Sequence, residues 1–293
     1  MEQASRSEPK ASEDQKIRLV ALDLDGTLLD PYGKLTSAVS SAVSRVTRHR
    51  ELRVVLCTGR RFRTALPHAQ ALGLSGAIVV NNGAIVKDLA SGETLQHAYL
   101  PGSEFDEVIA HVRSHGPPLV YVDSYLDGVD ILTERTERAH AFQREYVDDQ
   151  GKVVTIVEDV AQTSRERVIM VSTMADAESL VELRRSASTR FGDRIQTHSL
   201  INKNYQGQIL EFLSPAAGKW QALERLAASW EIAPAEIAAV GDDTNDAEML
   251  GRVGLGIAMG NALPEVRAAA RLVVRGNAEG GAVEAIEQIL AAL

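Results

Sequence analysis

The sequence predicts an α/β protein: a Rossmann-like parallel-sheet core that carries an inserted α+β module. Three observations predict this. Short apolar runs ending in glycine-containing polar turns alternate with stretches of helical periodicity at both ends of the chain, the pattern of a parallel sheet covered on both faces. In the middle the apolar runs come in pairs, as strands of a mostly antiparallel sheet do. The length of 293 residues, at roughly 100–200 residues per domain, leaves room for both units.

The elements follow in order. Arg18 to Leu22 is apolar after its first residue and runs into Asp23-Leu24-Asp25-Gly26-Thr27, so it reads as a buried parallel strand ending at a loop. Thr36 can cap a helix whose Val39, Val43 and Val46 fall at i, i+4 and i+7, and Leu52 to Cys57 closes a strand-helix-strand unit. Phe62, Ala65, Leu66, Ala69 and Leu72 mark a second helix before the strand Ala77 to Val80. Asn81-Asn82-Gly83 is expected as a hinge turn. The strands Thr94 to Leu100, Leu119 to Val122 with Val129 to Leu132, and Val153 to Val157 with Arg167 to Ser172 then flank a helix bearing Phe105, Val108, Ile109 and Val112. The first pattern resumes with the helix of Trp220, Leu223, Leu226 and Ala227, the strands Ile237 to Val240, Gly254 to Ala258 and Leu272 to Val274, and a last helix with Val283, Ile286 and Ile289. Residues 1–16 are polar and aperiodic and are expected to be a frayed tail; 17–83 and 205–293 form the core and 84–204 the insertion, with Asn202-Lys203-Asn204 as the return hinge.

Composition narrows the function classes. Apolar residues make up 45% and charged residues 24%, the balance of a globular domain with a sizeable core. Lys plus Arg is 31 against 40 Asp plus Glu, a formal charge of -9 that repels nucleic-acid phosphates and anionic membrane surfaces, so neither is an expected partner. The lone Cys57 forms no intrachain disulfide and lies in an apolar run, where a buried strand thiol in a reducing compartment is expected. No apolar run approaches the roughly 18 residues of a membrane-spanning helix and no leader pattern opens the sequence, so a cytoplasmic monomer or homodimer is expected.

Three polar turns carry candidate chemistry, and in open α/β sheets such turns converge beyond the carboxyl ends of the strands. Asp23 and Asp25, two apart in an extended segment, present two carboxylates to one small volume; as turn formers they have an equally plain role. Gly241-Asp242-Asp243-Thr244-Asn245-Asp246 packs three carboxylates into five residues, which repel one another unless a hard cation such as Mg²⁺ offsets them. Capping by Thr244 or Asp243, with Asp246 complementing the helix dipole, accounts for one or two of those acids. Thr58-Gly59-Arg60 offers a hydroxyl, a close-approach glycine and the start of a helix, either an anion site or a loop with a cap. Lys219 in the first turn of its helix opposes the dipole, which a nearby phosphate would offset; a solvated surface lysine is the alternative. The seven histidines show no metal-ligand spacing, Trp220 and Trp230 fit a packing stripe, and the third glycine of Gly254-Leu255-Gly256-Ile257-Ala258-Met259-Gly260 comes one place late for a dinucleotide loop.

Taken together, Asp23-Leu24-Asp25-Gly26-Thr27-Leu28-Leu29, Thr58-Gly59-Arg60, Lys219 and Gly241-Asp242-Asp243-Thr244-Asn245-Asp246 resemble, in order, the four motifs of the haloacid dehalogenase superfamily. The long insertion between the second and third motifs is similar to the large α/β cap, of C2B-like type, of the Cof-type phosphatases, and so are Ala258-Met259-Gly260-Asn261-Ala262, Arg275-Gly276-Asn277 and Gly280-Gly281. The resemblance implies a Mg²⁺-dependent phosphatase acting on a small phosphorylated metabolite, a sugar phosphate or a cofactor-type ester, through an aspartyl-phosphate. It implies Asp23 as nucleophile, Asp25 as acid and base, and a Mg²⁺ held by Asp23, Asp25 through its backbone carbonyl, and Asp242, with Asp246 in support. It implies Thr58, Gly59, Lys219, Gly26 and Asn245 around the phosphate, with Arg60 and Asn82 as further substrate contacts. Trp220 replaces the glycine that usually follows the lysine. A phosphomutase or phosphotransferase using the same nucleophile, and a non-enzymatic phospho-acceptor module, are the rival expectations. Asp25 weighs against the acceptor module, and also against a dehalogenase, since a halide needs no proton to leave.

Overall fold

The computed structural model describes residues 16–135, 137, 139–202 and 207–293. The expected tail, apart from the exposed Lys16, and Lys203 and Asn204 of the expected return hinge lie outside them.

In chain order the elements are β1 (Leu19–Leu22), α1 (Ser37–Thr47), β2 (Arg53–Leu56), α2 (Phe62–Ala71), β3 (Ala77–Val80), β4 (Ile85–Asp88), β5 (Thr94–His97), α3 (Gly102–Arg113), β6 (Leu119–Ser124), β7 (Val129–Glu134), α4 (Ala141–Gln150), β8 (Val154–Val157), β9 (Val168–Ala175), α5 (Ala177–Phe191), β10 (Gln196–Asn202), β11 (Gly207–Leu213), α6 (Lys219–Ser229), β12 (Ile237–Gly241), α7 (Thr244–Arg252), β13 (Leu255–Ala258), α8 (Pro264–Ala269), β14 (Leu272–Val273) and α9 (Gly281–Ala291). A parallel sheet of order β14-β13-β12-β1-β2 forms the core. β1 lies between β12 and β2 and is buried on both faces, which is why it has no polar alternation. Val20 and Leu22 pack toward α1 and α9 through Val43, Val46, Ile286 and Ile289. Leu19 and Ala21 pack toward α6 and α7 through Leu223, Leu226, Met249 and Leu250. Thr36 caps α1 as expected, its Oγ1 accepting from the Val39 N–H at 3.3 Å. Because β1, β2 and β12 run the same way, the turns that follow them emerge on one edge.

The middle of the chain departs from expectation. β4 and β5 are not part of the second sheet: β3, β4 and β5 form their own antiparallel sheet, tied to the core through a bridge between Cys57 and Val79. Asn81-Asn82-Gly83 is therefore the turn of a hairpin, with all three residues at positive φ. The crossing comes later, where the Ala98 N–H still bonds Ala84 O and the Leu100 N–H already bonds Val168 O. The second sheet has the order β10-β11-β9-β6-β7-β8 and is antiparallel except for β7 against β8. On sheet membership we propose that the inserted unit runs from about residue 99 to 213, in place of 84–204, because β11 pairs with β9 and β10 up to Leu213.

One face of the second sheet is covered by α3 and α5, with Phe105, Val108 and Leu183 against Val171, Leu210 and Phe212. The opposite face, with Leu119, Tyr121, Met170 and Leu213, joins the core cluster. Polar ties hold that seam: Arg61 and Arg63 both bond Asp130, Lys87 pairs with Asp123 at 2.6 Å, and Phe62 meets Tyr125 edge to face. No helix of the described residues is long and apolar enough to cross a membrane.

Candidate active site

The residue after β1 is Asp23, whose N–H continues the parallel ladder by donating to Val240 O at 3.0 Å. The chain then turns tightly through Leu24–Leu28, with Gly26 at φ +81°. A Cβ at Gly26 would lie 2.1 Å from Asp242 Oδ2, so this glycine lets the first turn close onto the one that follows β12. Carboxylate oxygens of Asp23, Asp242 and Asp246 all lie within 4.8 Å of one another. Residues more than 200 positions apart are thus brought together by the pairing of β1 with β12.

Lys219 opens α6 and is 2% exposed. Its Nζ donates to Asp23 Oδ1 and to Asp246 Oδ1, both at 2.7 Å. The surface-lysine alternative is thereby removed. Desolvation disfavours the Lys219 ammonium, but Asp23 and Asp246 outweigh it and hold its pKa above the ordinary lysine range. Burial pushes the Asp23 carboxyl well up, against the attraction of Lys219 and with the repulsion of Asp246 and Asp242. Burial and then Asp246 push Asp242 up to about 7, while Thr27 opposes them. Crowded, desolvated carboxylates that resist ionisation together are a donor set a hard divalent cation fits.

Asp246 has a second task. Its Oδ2 accepts the N–H groups of Asp242 and Asp243 at 3.1 Å, closing a capping box with Asp243, which is the N-cap of α7. Capping and clustering therefore use different oxygens of one carboxylate.

Asp25 departs from the expectation that it shares Asp23's small volume. The tight turn breaks the extended alternation, and the Asp25 carboxylate, about half exposed, is gripped by Arg60 Nε and Nη2 at 2.6 Å each, outside the three-acid cluster. Thr58 is buried, and its Oγ1 accepts the Arg60 N–H at 3.1 Å. The Thr58-Gly59-Arg60 stretch is thus a turn of its own, since α2 starts only at Phe62. Gly59 is needed for close approach: a Cβ there would lie 2.8 Å from Asn82 Oδ1. Asn245 Nδ2 donates to that same Asn82 oxygen at 2.8 Å, and Asn82 Nδ2 donates to Glu211 at 3.0 Å. Trp220 is packed among Leu223 and Ile232, as its place on the stripe predicts, and Cys57 is buried, its thiol pKa raised by desolvation.

Four residues of this neighbourhood were not assigned from sequence. Thr27 Oγ1 donates to Asp242 Oδ1 at 2.9 Å. Asn261 Nδ2 donates to Gly26 O at 2.9 Å and Asp242 Oδ2 at 3.1 Å, and Asn277 holds Asn261 in turn, its N–H donating to Asn261 Oδ1 at 2.9 Å. Asn261 and Asn277 follow β13 and β14, so their position beyond strand ends was the available signal. Glu211 lies in β11, and an acid set in Ile209-Leu210-Glu211-Phe212-Leu213 was the only trace of it.

Comparison with known proteins identifies the family. The sequence profile of haloacid dehalogenase-like hydrolases matches residues 20–286. The HMP-PP phosphatase of Serratia proteamaculans is 30% identical over 268 residues, 91% of this chain and 92% of that protein. The phosphatase YwpJ of Bacillus subtilis is 24% identical, over 94% of this chain and all of its own. The crystal structure of a haloacid dehalogenase-like hydrolase from Bacteroides thetaiotaomicron superposes with a TM-score of 0.77 at 26% identity, covering 94% of this chain and 100% of that one. Matched over most of its length in sequence and in fold, the chain belongs to the haloacid dehalogenase-like hydrolases, in their Cof-type branch.

Proposed function

We propose that the protein is a Mg²⁺-dependent phosphatase that hydrolyses a small phosphorylated metabolite through an aspartyl-phosphate. The observation that carries this reading is the meeting of Asp23, Asp242 and Asp246 within 4.8 Å around the Lys219 ammonium. The relatives named as phosphatases support the substrate class. A small soluble ester is consistent with a cytoplasmic enzyme.

In this reading an Asp23 oxygen attacks phosphorus, the ester oxygen leaves with the bonding pair, and phosphate is held on the aspartate. Asp25, at the exposed edge of the site, protonates the leaving oxygen and then takes a proton from the water that cleaves the acyl phosphate. Arg60 orients Asp25 between those tasks. Lys219, Thr58 and the backbone N–H groups around Gly59 and Gly26 hold the phosphoryl oxygens, and Asn245 adds a polar contact. Asp23, Asp242 and Asp246, with the Asp25 backbone carbonyl, would hold the Mg²⁺, which when bound cancels the repulsion between an anionic nucleophile and an anionic ester. Thr27 and Asn261 keep Asp242 oriented toward that cluster.

The test is phosphate release from a panel of sugar phosphates, nucleotides and HMP-PP, for which the Serratia relative is named. Activity should require added Mg²⁺, vanish on chelation, return on readdition, and be abolished in Asp23→Asn while that variant still folds. No release from any ester with Mg²⁺, or undiminished turnover in Asp23→Asn, overturns the reading.

A further inference from the structure

His68 stands in the last turn of α2, half-buried, beyond the Thr58-Gly59-Arg60 turn from which that helix starts. Side chains on a helix lean toward its N-terminus, so this imidazole is carried back toward the turn. It meets Arg60 there, with His68 Nε2 at 2.9 Å from Arg60 Nη1. A guanidinium only donates, so Nε2 is the acceptor and the ring is neutral with its proton on Nδ1. The surroundings favour that form. Desolvation first and the Arg60 charge second hold the His68 pKa below its ordinary range, against the smaller pull of Asp25.

Arg60 is thereby fixed along its whole length. Its N–H donates to Thr58 Oγ1 at 3.1 Å and its carbonyl accepts the Asn81 N–H at 2.9 Å, which pins the backbone. One edge of the guanidinium, Nε and Nη2, donates to Asp25 at 2.6 Å through each nitrogen, and Nη1 at the remaining corner donates to His68. Magnitudes decide what that last bond adds. The side chains of Arg60 and Asp25 are 27% and 55% exposed. An ion pair so placed is worth only about 0–1 kcal/mol, because water screens it and two side chains lose rotamer freedom to make it. A third contact at the far corner of a rigid planar fork stops the arginine from swinging, so the direction of its two bonds to Asp25 is set in advance. His68 itself bonds Arg60 and is no member of the acid cluster.

We propose that His68 is a positioning residue of the reaction: acting through Arg60, it holds the Asp25 carboxylate in line for proton transfer to the leaving ester oxygen. The proposal rests on the phosphatase reading and deepens it.

Two measurements on the full-length protein test it. The first is independent of turnover: ¹⁵N NMR of the histidine rings at pH 7.5, with His68 assigned by its loss in His68→Gln, should show the Nδ1–H tautomer in wild type and its disappearance in Arg60→Ala. An Nε2–H ring at His68 overturns the proposal whatever the kinetics. The second is steady-state phosphate release with Mg²⁺ from an alkyl phosphate and from p-nitrophenyl phosphate, whose leaving group departs as a stable anion. His68→Leu, which keeps bulk and removes the acceptor, should lower kcat for the alkyl ester about tenfold, leave KM within about twofold, and change p-nitrophenyl phosphate turnover by no more than about twofold. His68→Gln, whose amide oxygen can accept from Nη1, should recover most of that loss. In an Arg60→Ala background His68→Leu should cost nothing further, since its effect passes through the arginine. Melting temperatures identify a variant that fails to fold, and in that event the tautomer and His68→Gln carry the decision. Equal losses on both esters, undiminished or faster alkyl-ester turnover in His68→Leu, or a full additional loss in the Arg60→Ala background overturns the proposal while leaving a phosphatase. Wild type inactive on both esters overturns the phosphatase reading, and the positioning role with it.

Discussion

Replacing Lys219 with methionine removes the ammonium that sits between Asp23 and Asp246 and keeps an apolar chain of similar length. Both 2.7 Å charge-assisted bonds are lost, and two carboxylates, 4% and 0% exposed, are left facing each other. Breaking a buried ion pair by deleting one partner costs about 3–5 kcal/mol. At roughly 2–3 °C per kcal/mol for a chain of this size, the melting temperature should fall by about 6–15 °C in the absence of divalent cations at pH 7.5. Three further readouts separate this cause from a packing defect. Added Mg²⁺ should restore more stability to the variant than it adds to wild type, since the cation supplies the missing positive charge. Lowering the pH to 5 should narrow the gap, because protonating one carboxylate relieves the repulsion. Adding Asp246→Asn to Lys219→Met should recover part of the loss, a non-additivity that a double-mutant cycle measures. Differential scanning calorimetry gives all of them. A drop below about 2 °C, or a double variant no more stable than Lys219→Met, would refute the argument that Lys219 is the counter-charge of the cluster.

Other consequences can be checked in the same preparations. Asp25→Ala should slow hydrolysis of alkyl phosphates steeply and of p-nitrophenyl phosphate much less, because only the former needs a protonated leaving group; with its side chain about half exposed, the variant should melt within about 2 °C of wild type. Unimpaired turnover of alkyl esters would remove Asp25 as the acid. Gly26→Ala places a Cβ 2.1 Å from Asp242 Oδ2 at a left-handed φ, so Mg²⁺-dependent activity should fall at least tenfold, and retained activity would mean that the two turns need not close together. Burial raises Glu211 above its unfolded value to about 7, so its contribution to stability is greatest below about pH 4.3 and is lost as pH rises toward 7. Glu211→Gln should therefore gain stability relative to wild type between pH 5 and 7.5, and a gap that is flat across that range in thermal melts would contradict the sign.

The catalytic unit was legible because its signals are local. An apolar run with an acid at its end is a buried strand feeding a loop, and β1 with Asp23 and β12 with Asp242 both announce themselves that way. Thr36 capping α1 and the stripe that buries Trp220 follow from helix periodicity in the same manner. The inserted unit was legible as paired strands, but β10 and β11 were missed, so Glu211 was missed with them. β4 was not read as a strand, and the pairing of β4 and β5 with β3 was not foreseen, since nothing local says whether a hairpin extends β3 or begins a new sheet.

Composition and order of motifs were enough to define the α/β class, the acidic character and the kind of chemistry, because each of those depends on residue type and on spacing of a few positions. Which oxygen of Asp246 caps a helix and which receives Lys219, that Asp25 turns onto Arg60, and that Glu211 comes within hydrogen-bond reach of Asn82 all depended on folding. Apart from the cap itself, which spans four residues, those contacts join positions 27 to 129 residues apart, and strand register and the direction of a side chain, which no single segment encodes, decide them.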